Sequence, residues 1–308
     1  MQNEQNTNAP LDFTPAHTQD ALLHISLLGG QARALLAETP ALCDAARRIG
    51  SLSRTATAAL GRHMTAALML AATLKGERDS LTAYVKGGGP LGTVLAVARP
   101  DGTVKGYVDN PAADPPRKNG KLDVGAAVGR DGELTVIKDM GMREPYVGRV
   151  RLRSGEIAED WAAYFSVSEQ TPALVSLGVL TGDQVLSAGG LIVEMMPGAD
   201  EAAVRSVEMS APMFTNISKT LMEDHLEGAV TQLLSHLQPQ ILERKPLAWK
   251  CDCSRERVER ALISMGRHEL EDMIAQQQGA EVDCHFCKRR QRFTRADLEA
   301  LLEACTRP

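Results

Sequence analysis

The longest helical pattern in the chain covers residues 55–74, where apolar side chains spread over most of the helix circumference. A helix that is apolar nearly all round is buried by neighbours on several sides, so this pattern predicts a buried central helix. The residues before it predict a strand over 21–28 and helices over 31–38 and 41–49. Residues 1–20 are polar and predict a flexible tail.

Short apolar runs separated by Gly and Pro follow from Leu81, a pattern typical of strands joined by tight turns. The predicted strands cover 81–86, 93–98, 103–109, 134–138 and 148–152. Gly87-Gly88-Gly89-Pro90 lacks the following Lys-Ser/Thr of a phosphate loop, so we interpret it as a hairpin turn. Short strands grouped around a buried helix predict an α+β fold.

Helical patterns return in the later part of the chain, after two predicted strands over 184–194 around Gly189-Gly190. The predicted helices cover 157–167, 201–210, 216–227 and 229–236. Pro239 and Pro246 interrupt the residues that follow, so 237–250 is predicted to be a connector. In the last part, helices are predicted over 254–265, 268–275 and 294–302, and Ser254 is a good N-cap for the first of them.

Composition and charge narrow the class of protein. The chain has 308 residues, of which 44% are hydrophobic and 24% charged, which suits one large domain and a small one. A net charge of −5 offers no bulk attraction to nucleic acid or to an anionic membrane, and we expect neither as a partner. No apolar stretch approaches the ~18 residues that span a bilayer, and residues 1–20 do not resemble a signal peptide, so we expect a cytoplasmic location.

Four of the six cysteines form two close pairs, Cys251 with Cys253 and Cys284 with Cys287. The spacing C-x-C-x30-C-x-x-C suits a tetrahedral Zn²⁺ ion, because each pair supplies two thiolates and the intervening chain folds back. Each pair can also close a local disulfide, so the same residues allow a redox switch. Cys43 and Cys305 have no neighbouring partner, and we interpret each as a buried small apolar residue or an incidental thiol.

Oxidation is expected to unfold the module over residues 251–308. A structural zinc contributes roughly 10–16 kcal/mol to small domains, which decides between the folded and unfolded states here. Disulfides within each pair close very short loops, worth ~2 kcal/mol each, whereas a crossed bond from Cys251 to Cys284 would be worth ~4 kcal/mol and would still join the halves. Local pairing would therefore expel zinc without replacing its clamp, and we expect Cys284–Cys287 to oxidise before Cys251–Cys253.

Other functions remain open from the residues alone. One is a purely structural zinc site; His268 and His285 are weaker ligand candidates than the thiolates. Another is a thiol–disulfide oxidoreductase, which would need one catalytic C-x-x-C that cycles without metal loss. A zinc-dependent nucleic-acid module is suggested by the basic run over 288–295, but the 10 Lys/Arg of residues 251–308 are balanced by 11 Asp/Glu, which favours a solvated surface.

Motifs spread from about residue 74 to residue 293 resemble, in their order, those of the redox-regulated heat-shock chaperones of ~33 kDa, the 33 kDa chaperonin family. They are Arg143-Glu144-Pro145-Tyr146-Val147-Gly148, Ser154-Gly155-Glu156-Ile157-Ala158-Glu159-Asp160, Ser168-Glu169-Gln170-Thr171-Pro172, Leu177-Gly178-Val179-Leu180, and Cys251-Asp252-Cys253-Ser254-Arg255-Glu256-Arg257-Val258. The resemblance implies an α+β substrate-binding core over 1–197 with the long helix packed between β-sheets. It also implies a metastable helical linker over 198–250 and a zinc-binding redox-switch domain over 251–308.

The resemblance further implies an ATP-independent holdase and not an enzyme. One Zn²⁺ per chain would be held by Cys251, Cys253, Cys284 and Cys287 in the reduced, inactive form. Peroxide with unfolding stress, or hypochlorous acid, would form the disulfides Cys251–Cys253 and Cys284–Cys287, release zinc and unfold the linker. The implied partners are unfolding client proteins, a second copy of the chain on activation, and ATP-dependent foldases that later receive the clients.

Overall fold

The computed structural model describes residues 20–277 and 279–304, which divide into two compact units at the Lys250–Cys251 bond. The strands of the first unit are β1 Ala21–Leu27, β2 Ala32–Glu38, β3 Ser80–Lys86, β4 Thr93–Ala98, β5 Thr103–Val108, β6 Glu133–Asp139, β7 Tyr146–Arg151, β8 Ala173–Thr181, β9 Val185–Met195, β10 Gln240–Pro246 and β11 Ala248–Trp249. Its helices are α1 Pro40–Gly50, α2 Arg54–Ala71, α3 Val124–Val128, α4 Ile157–Val167, α5 Glu201–Ser210 and α6 Ile217–Ala229.

Two sheets organise this unit. Sheet A is antiparallel, in the order β10-β1-β2-β9-β8. Sheet B has the order β11-β5-β4-β3-β6-β7 and is antiparallel except for the short β11–β5 pair. β3 and β4 pair directly across residues 87–90, which confirms the predicted hairpin turn.

Helix α2 lies between the two sheets, which confirms the predicted buried helix. It begins where the Ser53 Oγ accepts a hydrogen bond from the Ala56 amide at 3.0 Å. Of its 18 residues only Arg54 and Arg62 are not buried. Many are Ala, and a side chain added at Gly106 of β5 would lie 2.9 Å from Leu60 of α2. Small residues therefore let the sheets approach the helix closely on both sides.

The face of sheet A that points away from α2 is also apolar. Leu23 and Ile25 of β1, Leu36 of β2, and Leu191 and Val193 of β9 form its buried surface. The polypeptide from α5 to Leu237 covers this face, and it contributes buried side chains of its own. They are Val207, Phe214, Ile217, Leu221, Leu226, Ala229, Val230, Leu233, Leu234 and Leu237. The central strands of sheet A are therefore buried on both sides.

The prediction of a helix over 31–38 is wrong, because residues 32–38 form β2, a central strand of sheet A. Leu35 and Ala37 face α2, whereas Ala34 and Leu36 face the opposite core. A strand buried on both faces lacks the alternation of apolar and polar residues, so its sequence cannot be distinguished from a short buried helix by periodicity.

The two strands predicted over 184–194 are one continuous strand, β9, and its hairpin partner β8 was not predicted. Gly189 does not interrupt β9. A side chain there would collide with Leu221 of α6, so the glycine allows helix and sheet to approach closely.

The connector predicted over 237–250 contains β10 and β11, so the segment 198–250 is helical only as far as Leu237. Pro246 ends β10, an edge strand of sheet A, where a missing backbone donor is tolerated.

The second unit consists of α7 Arg255–Met265, α8 Arg267–Gln277, β12 Gly279–Asp283, β13 Arg290–Thr294 and α9 Arg295–Ala304. The three predicted helices are confirmed. The antiparallel β12–β13 hairpin was not predicted. Within the described part of this unit the buried apolar core consists of Leu262, Leu270, Phe293 and Leu298. Across the described ranges, none of the helices is both long and apolar enough to cross a bilayer.

Buried His63 makes the first unit sensitive to acid. Its Nε2 donates to the Ala83 carbonyl at 3.0 Å, and its Nδ1 accepts from the Trp161 indole at 3.2 Å. Burial lowers the pKa of His63 to about 4. The neutral ring is therefore favoured by folding, and this stability is present above the unfolded pKa of ~6.5 and is lost as the pH falls toward 4.

Replacing His63 with Gln should remove this part of the pH dependence, because the amide can keep both hydrogen bonds but does not titrate. Between pH 7 and pH 5 the unmodified protein should lose ~2 kcal/mol more stability than His63→Gln. Urea unfolding of the first unit, followed at several pH values, measures the difference. Parallel stability curves for the two proteins would show that His63 does not contribute.

Candidate metal centre

The four paired cysteines come from two segments of the second unit. Cys251 and Cys253 lie in the extended chain before α7, which begins where the Ser254 Oγ accepts from the Arg257 amide at 3.3 Å. Cys284 and Cys287 lie in the loop that joins β12 to β13. The hairpin and the capped helix thus hold one pair each on a defined local structure.

The loop around Cys284 is closed by two backbone hydrogen bonds. The Cys284 amide donates to the Arg289 carbonyl, and the Lys288 amide donates to the Cys284 carbonyl, both at 2.9 Å. Lys288 has a φ of 58°, a left-handed conformation that only glycine adopts without strain. This turn brings Cys284 and Cys287 together, and the sequence analysis did not identify Lys288 as part of it.

All four sulfur atoms lie within 4.8 Å of one another. The Sγ atoms of Cys251 and Cys284 are 3.7 Å apart, and those of Cys253 and Cys287 are 3.3 Å apart. Sulfur atoms at the corners of a tetrahedron around an ion with ~2.3 Å bonds would be ~3.8 Å apart, so the cluster fits a tetrahedral thiolate site. Both of these contacts join one segment to the other, as a metal ion that holds the two segments together requires.

Hydrogen bonds within the cluster favour the thiolate form of Cys284. The bond from the Cys251 thiol, with smaller contributions from the Cys287 and Phe286 amides, lowers the pKa of Cys284 to about 4. The same thiol–thiolate bond raises the pKa of Cys251, and burial raises that of Cys253 to about 11. The thiolate is the form that binds metals and reacts with oxidants, so the lowered pKa of Cys284 favours both reactions at this sulfur.

The core beside the cysteines is too small to fold this unit securely. Among the described residues, four buried apolar side chains form it, with partly buried ones packed around them. Arg255 covers the Phe293 ring at 4.3 Å and pairs with Asp297 at 3.0 Å. A unit of this size with so little buried surface is marginal, and exposed ion pairs add less than about 1 kcal/mol each. The binding energy of a metal at the four thiolates would therefore decide whether the unit folds.

The other candidates lie outside the cluster. His268 is largely exposed and pairs with Asp272 at 3.2 Å. His285 is exposed, and the group of potential metal ligands found in the described residues consists of the four cysteines alone. Cys43 is buried in the core of the first unit, as predicted, whereas Cys305 lies outside the described residues.

The basic run over 288–295 forms ion pairs on the surface of the second unit. Arg290 pairs with Asp283 and Glu281, and Arg292 pairs with Glu281. These contacts agree with the interpretation of the run as a solvated face.

Comparisons of sequence and of structure both find similarity to one group of known proteins. The Hsp33 protein family profile matches residues 20–294. The chain is 44% identical to the 33 kDa chaperonin of Caldanaerobacter subterraneus over 84% of this chain and 89% of the relative. It is 42% identical to the 33 kDa chaperonin of Clostridioides difficile over 92% of this chain and 99% of that relative. The crystal structure of the 33 kDa chaperonin from Thermotoga maritima matches with a TM-score of 0.84 at 33% identity, covering 93% of this chain and 99% of that one.

Replacing Cys284 with Ser should abolish stoichiometric metal binding, because a neutral hydroxyl is a poor substitute for a thiolate ligand. Metal content should fall from one ion per chain to near zero, and the chain after Lys250 should become sensitive to protease. Elemental analysis after dialysis and limited proteolysis measure both effects. Cys43→Ala is the matched control, since it removes a thiol from the first unit and should retain the metal. A Cys284→Ser protein that keeps its metal would exclude this cluster as the site.

Proposed function

This chain belongs to the Hsp33 family of chaperones, and from that premise we propose that it is a redox-regulated, ATP-independent holdase that binds unfolding proteins. The observation that carries the proposal is the clustering of four thiols in a unit too small to fold securely without them. We propose three functional regions: a client-binding core over 1–197, a metastable linker over 198–250, and a redox-switch domain over 251–308.

In the reduced state, Cys251, Cys253, Cys284 and Cys287 would hold one Zn²⁺. The choice of zinc rests on the donor set, because four thiolates at tetrahedral spacing suit this ion and leave no open position for a substrate. When bound, the ion supplies structural stability and keeps the sulfurs as thiolates. The site therefore serves regulation and not catalysis.

Oxidation removes the ligands. Each disulfide, Cys251–Cys253 or Cys284–Cys287, forms from two thiolates that give two electrons to one peroxide, which takes up two protons and leaves as two water molecules. Disulfide sulfurs carry no charge for metal binding, so two such reactions abolish the site. The short loops that result restrict the unfolded chain by only ~2 kcal/mol each, which does not replace the clamp.

The surface that activation would expose is the outer face of sheet A. Its Leu and Ile side chains each gain about 1.5–3 kcal/mol from full burial, and the polypeptide of residues 201–237 supplies that burial. Released from this cover, the face would be a broad apolar surface on a folded scaffold, the kind of surface that binds exposed apolar segments of other proteins.

The covering segment has structural features of low stability. His225 lies inside α6 with φ 54° and ψ −165°, a backbone region that costs about 1–3 kcal/mol for residues other than glycine. Its Nδ1 pairs with Glu38 of β2 at 2.8 Å, which holds the strained turn on sheet A. After α6 the helix continues as a π-helical turn over Val230–Leu234 and a 3₁₀ turn over Ser235–Leu237.

The segment is also joined directly to the cysteines along the chain. β11 pairs with β5 of sheet B and ends two residues before Cys251, and β10 pairs with β1 of sheet A. Unfolding that starts at the cysteines would therefore reach β11 and β10 before the helices. Sheet A would lose an edge strand together with its cover. Trp249, half-buried in β11, would report this step by fluorescence.

The remaining parts of the proposal follow from the holdase mechanism. Exposed apolar faces of two activated chains would meet in a homodimer. Clients would be held without nucleotide and passed to ATP-dependent foldases after the cysteines are reduced. The proposed resting state requires reduced cysteines, and the cytoplasm keeps cysteines reduced, so we propose the cytoplasm as the site of action.

Peroxide at elevated temperature should release one zinc ion per chain and, only then, suppress the aggregation of a thermally unfolding client protein. A chromogenic chelator measures the zinc, and light scattering measures aggregation. Thiol reductant with added zinc should reverse both. Suppression that is equal before and after oxidation would refute redox control, and turnover of a disulfide substrate with zinc retained would indicate an oxidoreductase instead.

Mass spectrometry of partly oxidised protein should detect the Cys284–Cys287 disulfide before Cys251–Cys253. The C-x-C pair needs an unusually extended backbone to bring its sulfurs into bonding geometry, and we expect this only after the fold has loosened. Finding Cys251–Cys253 first, or a crossed Cys251–Cys284 bond as the main product, would contradict the order and the pairing proposed here.

Gly178→Ala should loosen the covering segment without oxidation. A methyl group there would lie 2.6 Å from the Ser218 side chain at the beginning of α6, and such overpacking costs about 1–3 kcal/mol. We expect faster hydrogen exchange over 201–237 in the reduced protein and activation at lower peroxide. Gly182→Ala is the matched control, because a side chain at Gly182 has no atom within 4 Å. Equal exchange in the two variants would show that α6 does not control access to the sheet.

A further inference from the structure

A deep cleft of about 1300 Å³ lies in the first unit, separate from the cysteines. Three of its lining residues are buried and apolar, and we call them its apolar floor: Leu177 and Val179 of β8 and Ile217 of α6. Its walls carry six basic side chains, although the chain as a whole has a net charge of −5. They are Arg62, Arg117, Lys118, Lys121, Arg130 and Arg153.

Two of these cations are held opposite each other in a tight turn. The Lys118 amide donates to the Lys121 carbonyl and the Lys121 amide donates to the Lys118 carbonyl, both at 3.0 Å, with Asn119 and Gly120 at positive φ between them. Arg117 Nη1 donates to the Gly120 carbonyl at 3.3 Å and adds a third cation. Like charges directly opposite destabilise a strand pair, and within the described residues neither lysine has an acidic partner.

Arg62 supplies a more rigid cation to the same cleft. It is the one residue in the interior of α2 that is not buried, and its Nη1 donates to Glu156 at 2.8 Å. Its Nε is buried and has no hydrogen-bond partner in the described part of the chain. A guanidinium fixed by a buried helix, with donor capacity unused, suits recognition of a phosphate or carboxylate.

Three acidic residues also line the cleft, against six basic ones, so the lining keeps a net positive charge. Asp123 accepts from the Ala126 amide at 2.9 Å and caps α3. Glu156 accepts from the Gly125 amide as well as from Arg62, and Glu159 accepts from the Ser154 hydroxyl at 2.6 Å. Each carboxylate thus has a local partner, whereas Lys118, Lys121, Arg130 and Arg153 have no ion-pair partner among the described residues.

We propose that this cleft binds a small anion carrying several linked phosphate groups. The number and spread of the cations favour a multivalent ligand over a single carboxylate, and the volume admits a chain of phosphates with or without an attached ring. Inorganic polyphosphate and nucleoside polyphosphates share this chemistry. The apolar floor gives a ring system a place to lie, so the two sources should differ in affinity.

The position of the cleft couples binding to the covering segment, a consequence that rests on the proposed function. Residues 215–218, at the beginning of α6, form part of its wall. A ligand that contacts both this wall and the Lys118–Lys121 turn binds only while α6 remains docked on the sheet. It therefore shifts the equilibrium toward the docked state and slows activation.

Calorimetry with sodium tripolyphosphate and the reduced, full-length protein tests the site. We expect saturable binding that weakens with added NaCl, and protection of residues 117–126 and 215–218 from hydrogen exchange. Adenosine triphosphate, used without magnesium, forms the second arm. Tighter binding of the nucleotide would assign the apolar floor to a ring, and equal binding would assign the site to the phosphate chain. Absence of binding by both probes would overturn the proposal.

The double variant Lys118→Ala/Lys121→Ala should weaken binding of tripolyphosphate about tenfold. It removes two charged contacts to the ligand, and each is weak because the turn is exposed to solvent. Lys75→Ala/Arg78→Ala is the matched control, because it removes the same charge from exposed positions outside the cleft. Any chelation of metal by the probe would affect both doubles alike. Equal affinity of the two doubles would place binding elsewhere and overturn the assignment.

Activation kinetics test the coupling of the cleft to activation separately from ligand binding itself. Tripolyphosphate should slow the appearance of holdase activity after peroxide in the unmodified protein and not in Lys118→Ala/Lys121→Ala. Binding without any change in the rate of activation would overturn the coupling but not the binding site. A protein that binds tripolyphosphate but never gains holdase activity would refute the proposed function and not the cleft.

Discussion

The central strands of sheet A are apolar on both faces, and this constraint shapes most of the first unit. One face is covered by α2 and the core that it shares with sheet B, where the helix is buried along almost its whole length. The other face depends on residues 201–237, which contribute a second core. The two covers differ in kind. The first is a regular helix between two sheets, and the second is a helical segment with a strained residue, a π-helical turn and a 3₁₀ turn.

This asymmetry connects the fold to the proposed function. A covering segment that detaches must have a lower local stability than the sheet that it covers, because local opening begins where stability is lowest. Glycines at 178 and 189 allow α6 to lie close against β8 and β9, while the Glu38–His225 pair holds its strained turn. The segment is thus held by its own buried apolar side chains together with these local contacts, and the scaffold beneath retains a separate core when they break.

The second unit applies the same principle with different chemistry. Four buried apolar residues supply little stability, and the ion pairs around them are exposed. Most of the free energy that stabilises this unit would therefore come from the bonds between a metal ion and four sulfur atoms. These sulfurs are also the atoms most easily oxidised. Under the proposed function, such a domain would lose its fold on oxidation, because the core of its described residues is small.

Local patterns were sufficient to predict much of this molecule. Local residue spacing predicted the buried helix, the β3–β4 turn and the helices of the second unit. Pairs of potential ligands predicted the cysteine cluster. Both kinds of pattern can be recognised in a single sequence. The family could also be identified from ordered motifs.

What failed shares a physical cause. Strand β2 was predicted as a helix, β8 was not predicted, and β10 and β11 were predicted as a connector. Whether such a run becomes strand or helix is decided by the partners that lie beside it in the sheet, and those partners are distant in sequence, as in the pairing of β1 with β10.

The basic cleft and the double-sided burial of sheet A likewise exist only in the folded chain. Arg62, the turn at Lys118 and Lys121, and the beginning of α6 have no common motif, and the tertiary structure alone brings them to one place. The sequence by itself determined the two cysteine pairs that cluster, the central helix and the family, because these depend on neighbouring residues. Tertiary structure decided which apolar surfaces are covered, and by what, because burial is a property of contacts between distant segments.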